Sequence, residues 1–230
     1  MQTPAPRLSI FRKLIAGDSL RKTRLHDEKG NLVDGREWKY LPLVLQRFVA
    51  RKLFGKLYAE PWWTFCIKRR VAEILTPDMK AVEFGSGQST LWLAPRVHAL
   101  LAIEGDAEWY ERVKINLARS NIGNVTLQHR AGEDYWNVDD LADSSVDFCI
   151  VDGRDRGYCV RAILPKMKRG GWIYLDNSDK DMTHPDDGAN IRAAEAELRR
   201  HVTEANIEIF TGFTIGSINT HQGMLCRLEV

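Results

Sequence analysis

Apolar positions divide the chain into three stretches. Residues 1–36 are polar, charged and without a sustained period, which predicts a loosely ordered basic arm. From Glu37 to Tyr58 the apolar residues Leu41, Val44, Leu45, Phe48, Val49, Leu53 and Leu57 recur at helical spacing, with Arg47, Arg51, Lys52 and Lys56 largely between them. That pattern is a basic amphipathic helix. It suits a helix packed on its own domain, and also peripheral contact of residues 37–58 with an anionic membrane. A second helical stretch, Thr64 to Leu75, stops at Thr76-Pro77-Asp78. Residues 37–76 are therefore expected to form a helical N-terminal extension or lid, and residues 77–230 the main domain.

Within 77–230 short apolar runs alternate with helical patterns. The strand-like runs are Ala81–Phe84, Ala99–Glu104, Val125–His129, Val146–Asp152 and Gly171–Asp176; the helical ones are Ser89–Val97, Glu108–Ser120, Tyr158–Met167 and Ala189–Val202. Such alternation predicts an α/β fold with a parallel sheet covered by helices on both faces. Glu208–Phe213 and Gly223–Val230 have no helix between them and read as an antiparallel hairpin. The expected architecture is a Rossmann-like, doubly wound, mostly parallel seven-stranded sheet with an antiparallel C-terminal hairpin, plus the N-terminal helical extension.

Composition fits this picture: 230 residues with 44% hydrophobic and 28% charged positions can bury one substantial core. The net charge of +2 conceals an asymmetry. Residues 1–70 carry 16 Lys and Arg against 6 Asp and Glu, a balance of +10, whereas residues 71–230 balance at −8. The basic segment is expected to dock on the acidic domain or to meet an anionic partner. Cys66, Cys149, Cys159 and Cys226 form no CxxC pair, and no apolar run approaches the roughly 20 residues that span a bilayer, so reduced thiols and a cytoplasmic location are expected.

The candidate chemistry lies at the strand ends, where open α/β sheets bind ligands. Val82-Glu83-Phe84-Gly85-Ser86-Gly87-Gln88-Ser89-Thr90 ends the first strand and opens a helix, its glycines permitting a tight turn and close backbone approach. Glu104, 21 positions after Glu83, suits the two hydroxyls of a ribose. Thr90 stands where a dinucleotide fingerprint has its third glycine, which argues against NAD. Glu83 is expected to favour a ligand bearing ammonium and sulfonium charges over a pyrophosphate. Together these residues point to S-adenosylmethionine.

The series VEFGSGQST, LLAIEGD, VTLQHRAGEDY, VDFCIVDGRDR and RGGWIYLDNS, over roughly residues 80–228, resembles the ordered motifs of class I S-adenosylmethionine-dependent methyltransferases. The resemblance implies a methyltransferase domain over 77–230, with Glu83, Gly85, Ser86, Gly87, Ser89, Glu104, Gly105, Gly132, Glu133 and Asp152 around the cofactor. The run Val151-Asp152-Gly153-Arg154 lacks the Asn/Asp-Pro-Pro-aromatic pattern of base N-methylating enzymes, so nucleic acid is not the expected partner. Asp152 with Asp176-Asn177 is similar to the metal triad of small catechol-type O-methyltransferases, which implies Mg2+ on Asp152, Asp176 and Asn177. The chain departs from that group in having Arg154, Asp155 and Arg156 where a lysine base would stand.

The expected reaction is O-methylation of a small hydroxylated metabolite or sugar. Asp152 and Asp176 are the acid–base candidates, with Asp155 and His184 as further bases, and Arg154 and Arg156 are expected to grip an anionic acceptor. Trp62, Trp63, Tyr135 and Tyr158 read chiefly as packing residues. The alternative is a non-catalytic or aminopropyltransferase-like protein on the same fold, whose basic N-terminal region binds a membrane or another anionic partner.

Overall fold

The computed structural model describes residues 16–55, 58, 60–181, 183–184, 188–215 and 217–229. The strands are β1 (Lys80–Phe84), β2 (Ala99–Glu104), β3 (Val125–His129), β4 (Val146–Val151), β5 (Met167–Leu175), β6 (Ile207–Phe213) and β7 (Thr220–Arg227). They form one sheet in the order β3-β2-β1-β4-β5-β7-β6, parallel as far as β5 and antiparallel at β7 and β6. The doubly wound sheet and its C-terminal hairpin are as the alternation of runs predicts. Strand order reverses between β1 and β4, the place where such sheets bind ligands.

Both faces of the sheet are covered. Val82, Phe84, Ile103, Val151 and Leu175 pack with residues of α5 (Arg156–Ile163) and α6 (Gly188–His201). The opposite face, with Ala102, Phe148, Ile150 and Tyr174, packs on Ile67 and Val71 of α2 (Phe65–Ile74) and Trp92 and Leu93 of α3 (Gln88–Leu93). Burial on two faces is why the central strands read as largely apolar runs, with Glu83 in β1 and Asp147 in β4 as interruptions. β5 starts four residues before the run that marks it. Its first segment contains a bulge opposite Val146–Phe148, and Gly170 takes a left-handed φ of 77°, so no simple alternation announces it.

The N-terminal region needs two corrections. Residues 16–36 do not form a loose arm: Ala16 bridges Thr23 and His26 bridges Leu32. The segment is tied to β7 by the Thr220 N–H donating to the Arg24 carbonyl at 3.0 Å and by Arg21 Nε donating to the Thr220 carbonyl at 3.3 Å. Asp27 and Val33 are buried. Residues 1–15 of the predicted arm lie outside the described residues. The amphipathic helix is α1 (Leu41–Phe54), ended by Gly55 in a left-handed cap. Only Val44 of its apolar stripe is fully buried; Leu45, Val49, Leu53 and Phe54 remain exposed, so packing on the domain covers only part of that stripe.

Glu37 links the two parts. It is fully buried, and its Oε1 accepts from the Cys66 N–H at 2.6 Å, placing a carboxylate at the start of α2 where helix N–H groups lack partners. Among the described residues no helix is long and apolar enough to cross a membrane.

Candidate functional site

Two cavities meet at the carboxyl ends of the strands. The first, about 270 Å³, is lined by Gly85, Ser86, Gly87, Gln88 and Ser89 after β1, Glu104 at the end of β2, Asp152 and Gly153 after β4, and by Trp62 and Trp109. It lies at the switch between β1 and β4. Gly85 has φ +95°, and a Cβ there would stand 2.6 Å from the Gly153 nitrogen, so only glycine lets the two turns approach this closely. The second cavity, about 450 Å³, shares Trp62 and Asp152 with the first. It extends past Asp176, Asn177 and Lys180 to Arg21, Glu28, His184 and His221.

Hydrogen bonds fix the glycine turn from below. Glu83 is fully buried; its carboxylate accepts from Ser89 Oγ at 2.5 Å and Thr90 Oγ1 at 2.6 Å, while Thr90 Oγ1 accepts from the Gly87 N–H at 2.8 Å. Burial pushes the Glu83 carboxyl up to about 7, against the two hydroxyl bonds that lower it. Glu83 thus lies beneath the turn and outside the cavity lining, and the direct contact with ligand charge expected of it is not made. Thr90, read from sequence as an obstacle to a pyrophosphate, is the hydroxyl that joins turn to strand.

Glu104 does line the first cavity. Oε2 accepts from Ser86 N at 3.0 Å and Ser86 Oγ at 3.1 Å, and Oε1 from the N–H groups of Gly105 at 2.8 Å and Asp106 at 2.9 Å. Trp109 donates its indole N–H to the Ser86 carbonyl at 2.6 Å and closes one wall. Sequence reasoning missed it. The available signal was Asp106, which caps α4 (Ala107–Arg119) by accepting from Trp109 N at 2.7 Å and turns that first helical turn back over the glycines.

Gly132 and Glu133 lie after β3, exposed and outside both cavities. Arg154 is also exposed. Its guanidinium reaches the Gly105 carbonyl at 3.4 Å and lies over the Tyr135 ring, away from the second cavity, so the grip on an acceptor expected of it is not formed. Tyr135 is buried against Gly153, whereas Tyr158 stacks on Trp136 at the surface. The tryptophan pair divides its work: Trp63 is buried against Trp92 and Tyr174, while Trp62 stands between the cavities with Arg51 over its ring.

Asp152 and Asp176 share a hydrogen bond where the cavities join. Tyr174 Oη donates to Asp176 Oδ1 at 2.5 Å, and the Trp63 indole N–H reaches Asp152 Oδ2 at 3.5 Å. Burial raises both carboxyls, more strongly at Asp176, where the neighbouring Asp152 charge adds to it; Arg156 opposes the rise at both. The two carboxyls therefore titrate as a pair, both held above the ordinary carboxylate range.

Arg156 overturns two expectations. It is buried, and Nε and Nη2 donate to the carbonyls of Gly153 at 2.8 Å and Asp152 at 3.1 Å, while Nη1 donates to the Asp176 carbonyl. Nη2 also lies 3.4 Å from both Asp152 Oδ1 and Asn177 Oδ1. It is thus committed to the strand ends and cannot grip an acceptor. Its charge also stands between two of the three oxygens expected to hold Mg2+, and a second cation there would be repelled. Among the described residues no three His, Cys, Asp or Glu side chains converge as metal ligands would. The residues do not fit the expected magnesium site.

Sequence comparison matches the chain to no family model and to no curated protein. Solved structures do match. An S-adenosylmethionine-dependent O-methyltransferase from Thermotoga maritima superposes with a TM-score of 0.55 at 14% identity, over 80% of this chain and 71% of its own. A provisionally assigned O-methyltransferase from Klebsiella pneumoniae gives 0.53 at 17% identity over 97% and 96%. A tRNA methyltransferase from Aquifex aeolicus gives 0.54 at 14% identity over 70% and 68%. These structures share one arrangement of strands with this chain, and its fold is that of the class I S-adenosylmethionine-dependent methyltransferases.

Proposed function

We propose that the chain is an S-adenosylmethionine-dependent methyltransferase acting on a hydroxyl of a small acceptor. The observation that carries this reading is the meeting of two cavities at Asp152. The glycine turn, Glu104 and Trp109 suit the methyl donor in the first cavity, with Glu104 accepting from a ribose hydroxyl in place of Ser86 Oγ. The second cavity, of a size for a small molecule, takes the acceptor. Trp62, which borders both cavities, is placed to cover the two ligands.

Methyl transfer is an in-line displacement: the acceptor oxygen forms the new O–CH3 bond as the S–CH3 bond breaks, and the electron pair returns to sulfur. The protein must align the oxygen and take its proton. Asp152, which borders both cavities, accepts it, with Asp176 as its hydrogen-bond partner. Arg156 holds the two strand ends at fixed separation. A small acceptor agrees with the acidic junction of Asp152 and Asp176, which opposes a long phosphate backbone.

The reading is tested by calorimetric titration of the full chain with S-adenosylhomocysteine. Saturable binding is expected in the micromolar range, on the order of 10 μM, as is usual for cofactor and substrate concentrations. Folded protein that does not bind at millimolar ligand overturns the reading.

A further inference from the structure

The distal part of the second cavity has chemistry that the methyl-transfer reading does not use. Arg21, which borders it, is already occupied: it pairs with Glu28 at 2.9 Å and Asp18 at 3.2 Å, and lies 3.8 Å from Asp179. Lys180 borders the same space and makes no ion pair among the described residues. Its backbone is fixed in a turn, with Lys180 N donating to the Asn177 carbonyl at 3.0 Å, directly after β5. Across from it, Glu28 has only 2% of its side chain exposed. Oε1 accepts from Arg21, but Oε2 is buried without a hydrogen-bond partner among the described residues. A carboxylate oxygen withdrawn from water in this way is a strong acceptor lacking a donor.

From Lys180 and Glu28 we infer that the acceptor is a polyhydroxylated molecule carrying one anionic group, a carboxylate or a phosphate ester. Lys180 holds the anion and Glu28 Oε2 accepts a hydrogen bond from a ligand hydroxyl; the inference rests on the methyltransferase reading of the neighbouring cavity. Arg51 over Trp62 adds positive charge at the mouth. His184, with Nε2 3.9 Å from Glu28 Oε1, and His221 complete the polar wall. Lys180, which makes no ion pair among the described residues, opposes a cationic group at this end. The arrangement separates the duties of the cavity, with proton transfer at Asp152 and recognition at the Lys180 end.

The experiment is a proton–nitrogen NMR titration of the full chain with glycerol 3-phosphate, D-glycerate, inorganic phosphate and glycerol. Each is run with and without saturating S-adenosylhomocysteine. Glycerol 3-phosphate or glycerate is expected to bind at least about tenfold tighter than glycerol, the difference one charge-assisted hydrogen bond supplies. Shifts are expected at the amides of Lys180, His184 and His221. Preference for the phosphate ester or for glycerate identifies which anion is read. Lys180→Met should weaken both by about tenfold or more, with partial rescue by Lys180→Arg. Glu28→Gln should weaken glycerol 3-phosphate and glycerate while leaving inorganic phosphate unchanged. Glycerol binding as tightly as its phosphate, or a Lys180→Met variant within twofold of the parent, overturns the inference. The S-adenosylhomocysteine titration decides the methyltransferase reading separately, since the anion is also measured without it.

Discussion

Glu104 and Asp152 end the two strands that flank β1 and border the same cavity, yet their surroundings are opposite. Glu104 accepts from three backbone N–H groups and the Ser86 hydroxyl, so each of its oxygens has two donors. Asp152 has the weak Trp63 indole contact, the edge of a guanidinium occupied elsewhere, and a second carboxyl. The first carboxylate is a fixed acceptor suited to binding; the second is short of donors and shares a proton. A residue's chemistry here follows from the number of donors aimed at it, more than from its position at a strand end.

The most demanding test of that contrast is Asp152→Asn. Turnover is expected to fall by about 100- to 10,000-fold, the usual range for a lost general base, while S-adenosylhomocysteine affinity stays within about fivefold. A parallel collapse of affinity would erase the contrast by making Asp152 a binding group as well.

Gly85, where the two regions touch, comes next. Gly85→Ala is expected to lower stability to urea by about 3 kcal/mol or more, because a left-handed φ and a backbone clash coincide, and to weaken cofactor binding with it. Gly123→Ala, in open space, is the matched control.

A third test uses Glu83, on the binding side but beneath the turn. Its carboxyl is raised from 4.5 to about 7, so the folded chain keeps a proton that the unfolded chain releases. Its stabilising contribution is therefore complete below pH 4.5 and is lost as pH rises through about 7. The loss is roughly 3 kcal/mol. Urea denaturation of the parent and Glu83→Gln at pH 5 and pH 8 should show the parent's advantage shrinking with pH. An advantage that grows with pH would mean that Glu83 is ionised in the folded chain.

The smallest effect is expected at Glu104→Gln, where the backbone donors remain and one strong acceptor is weakened. Cofactor affinity should drop about tenfold, with the rate at saturating cofactor nearly unchanged. A drop in the saturated rate of the size seen at Asp152 would again merge the two regions.

Much of this was legible along the chain, and the rest was not for identifiable reasons. The strands were readable because burial on both faces leaves largely apolar runs, and Gly85, Gly87 and Glu104 because the turn and the following strand end have a fixed spacing. The order in residues 16–36 was not, since Arg21 and Arg24 find their partners at Thr220, nearly 200 positions away, and the local sequence is polar. Nor was the inward course of Arg156. It follows from Asp155 adopting φ +51°, a left-handed conformation that turns the start of α5 and carries the guanidinium under the strand ends. Asp152, Asp176 and Asn177 were found as neighbours, but the cation among them is a side chain of the same protein.

The tie between Arg24 and Thr220 also bears on the order in which the molecule can be completed during synthesis. The glycine turn, Glu104, Trp109 and Asp152 all lie within residues 80–155, so the parts of the first cavity drawn from the sheet can assemble once β4 has emerged. The distal wall of the second cavity cannot. Arg21 must wait for β7, nearly 200 positions later in the chain, to slot between β5 and β6 before the Thr220 carbonyl it donates to is in place. A nascent chain stalled before residue 220 would hold the elements of one binding site, and those of the other without His221 and the strand that ties Arg21 in place.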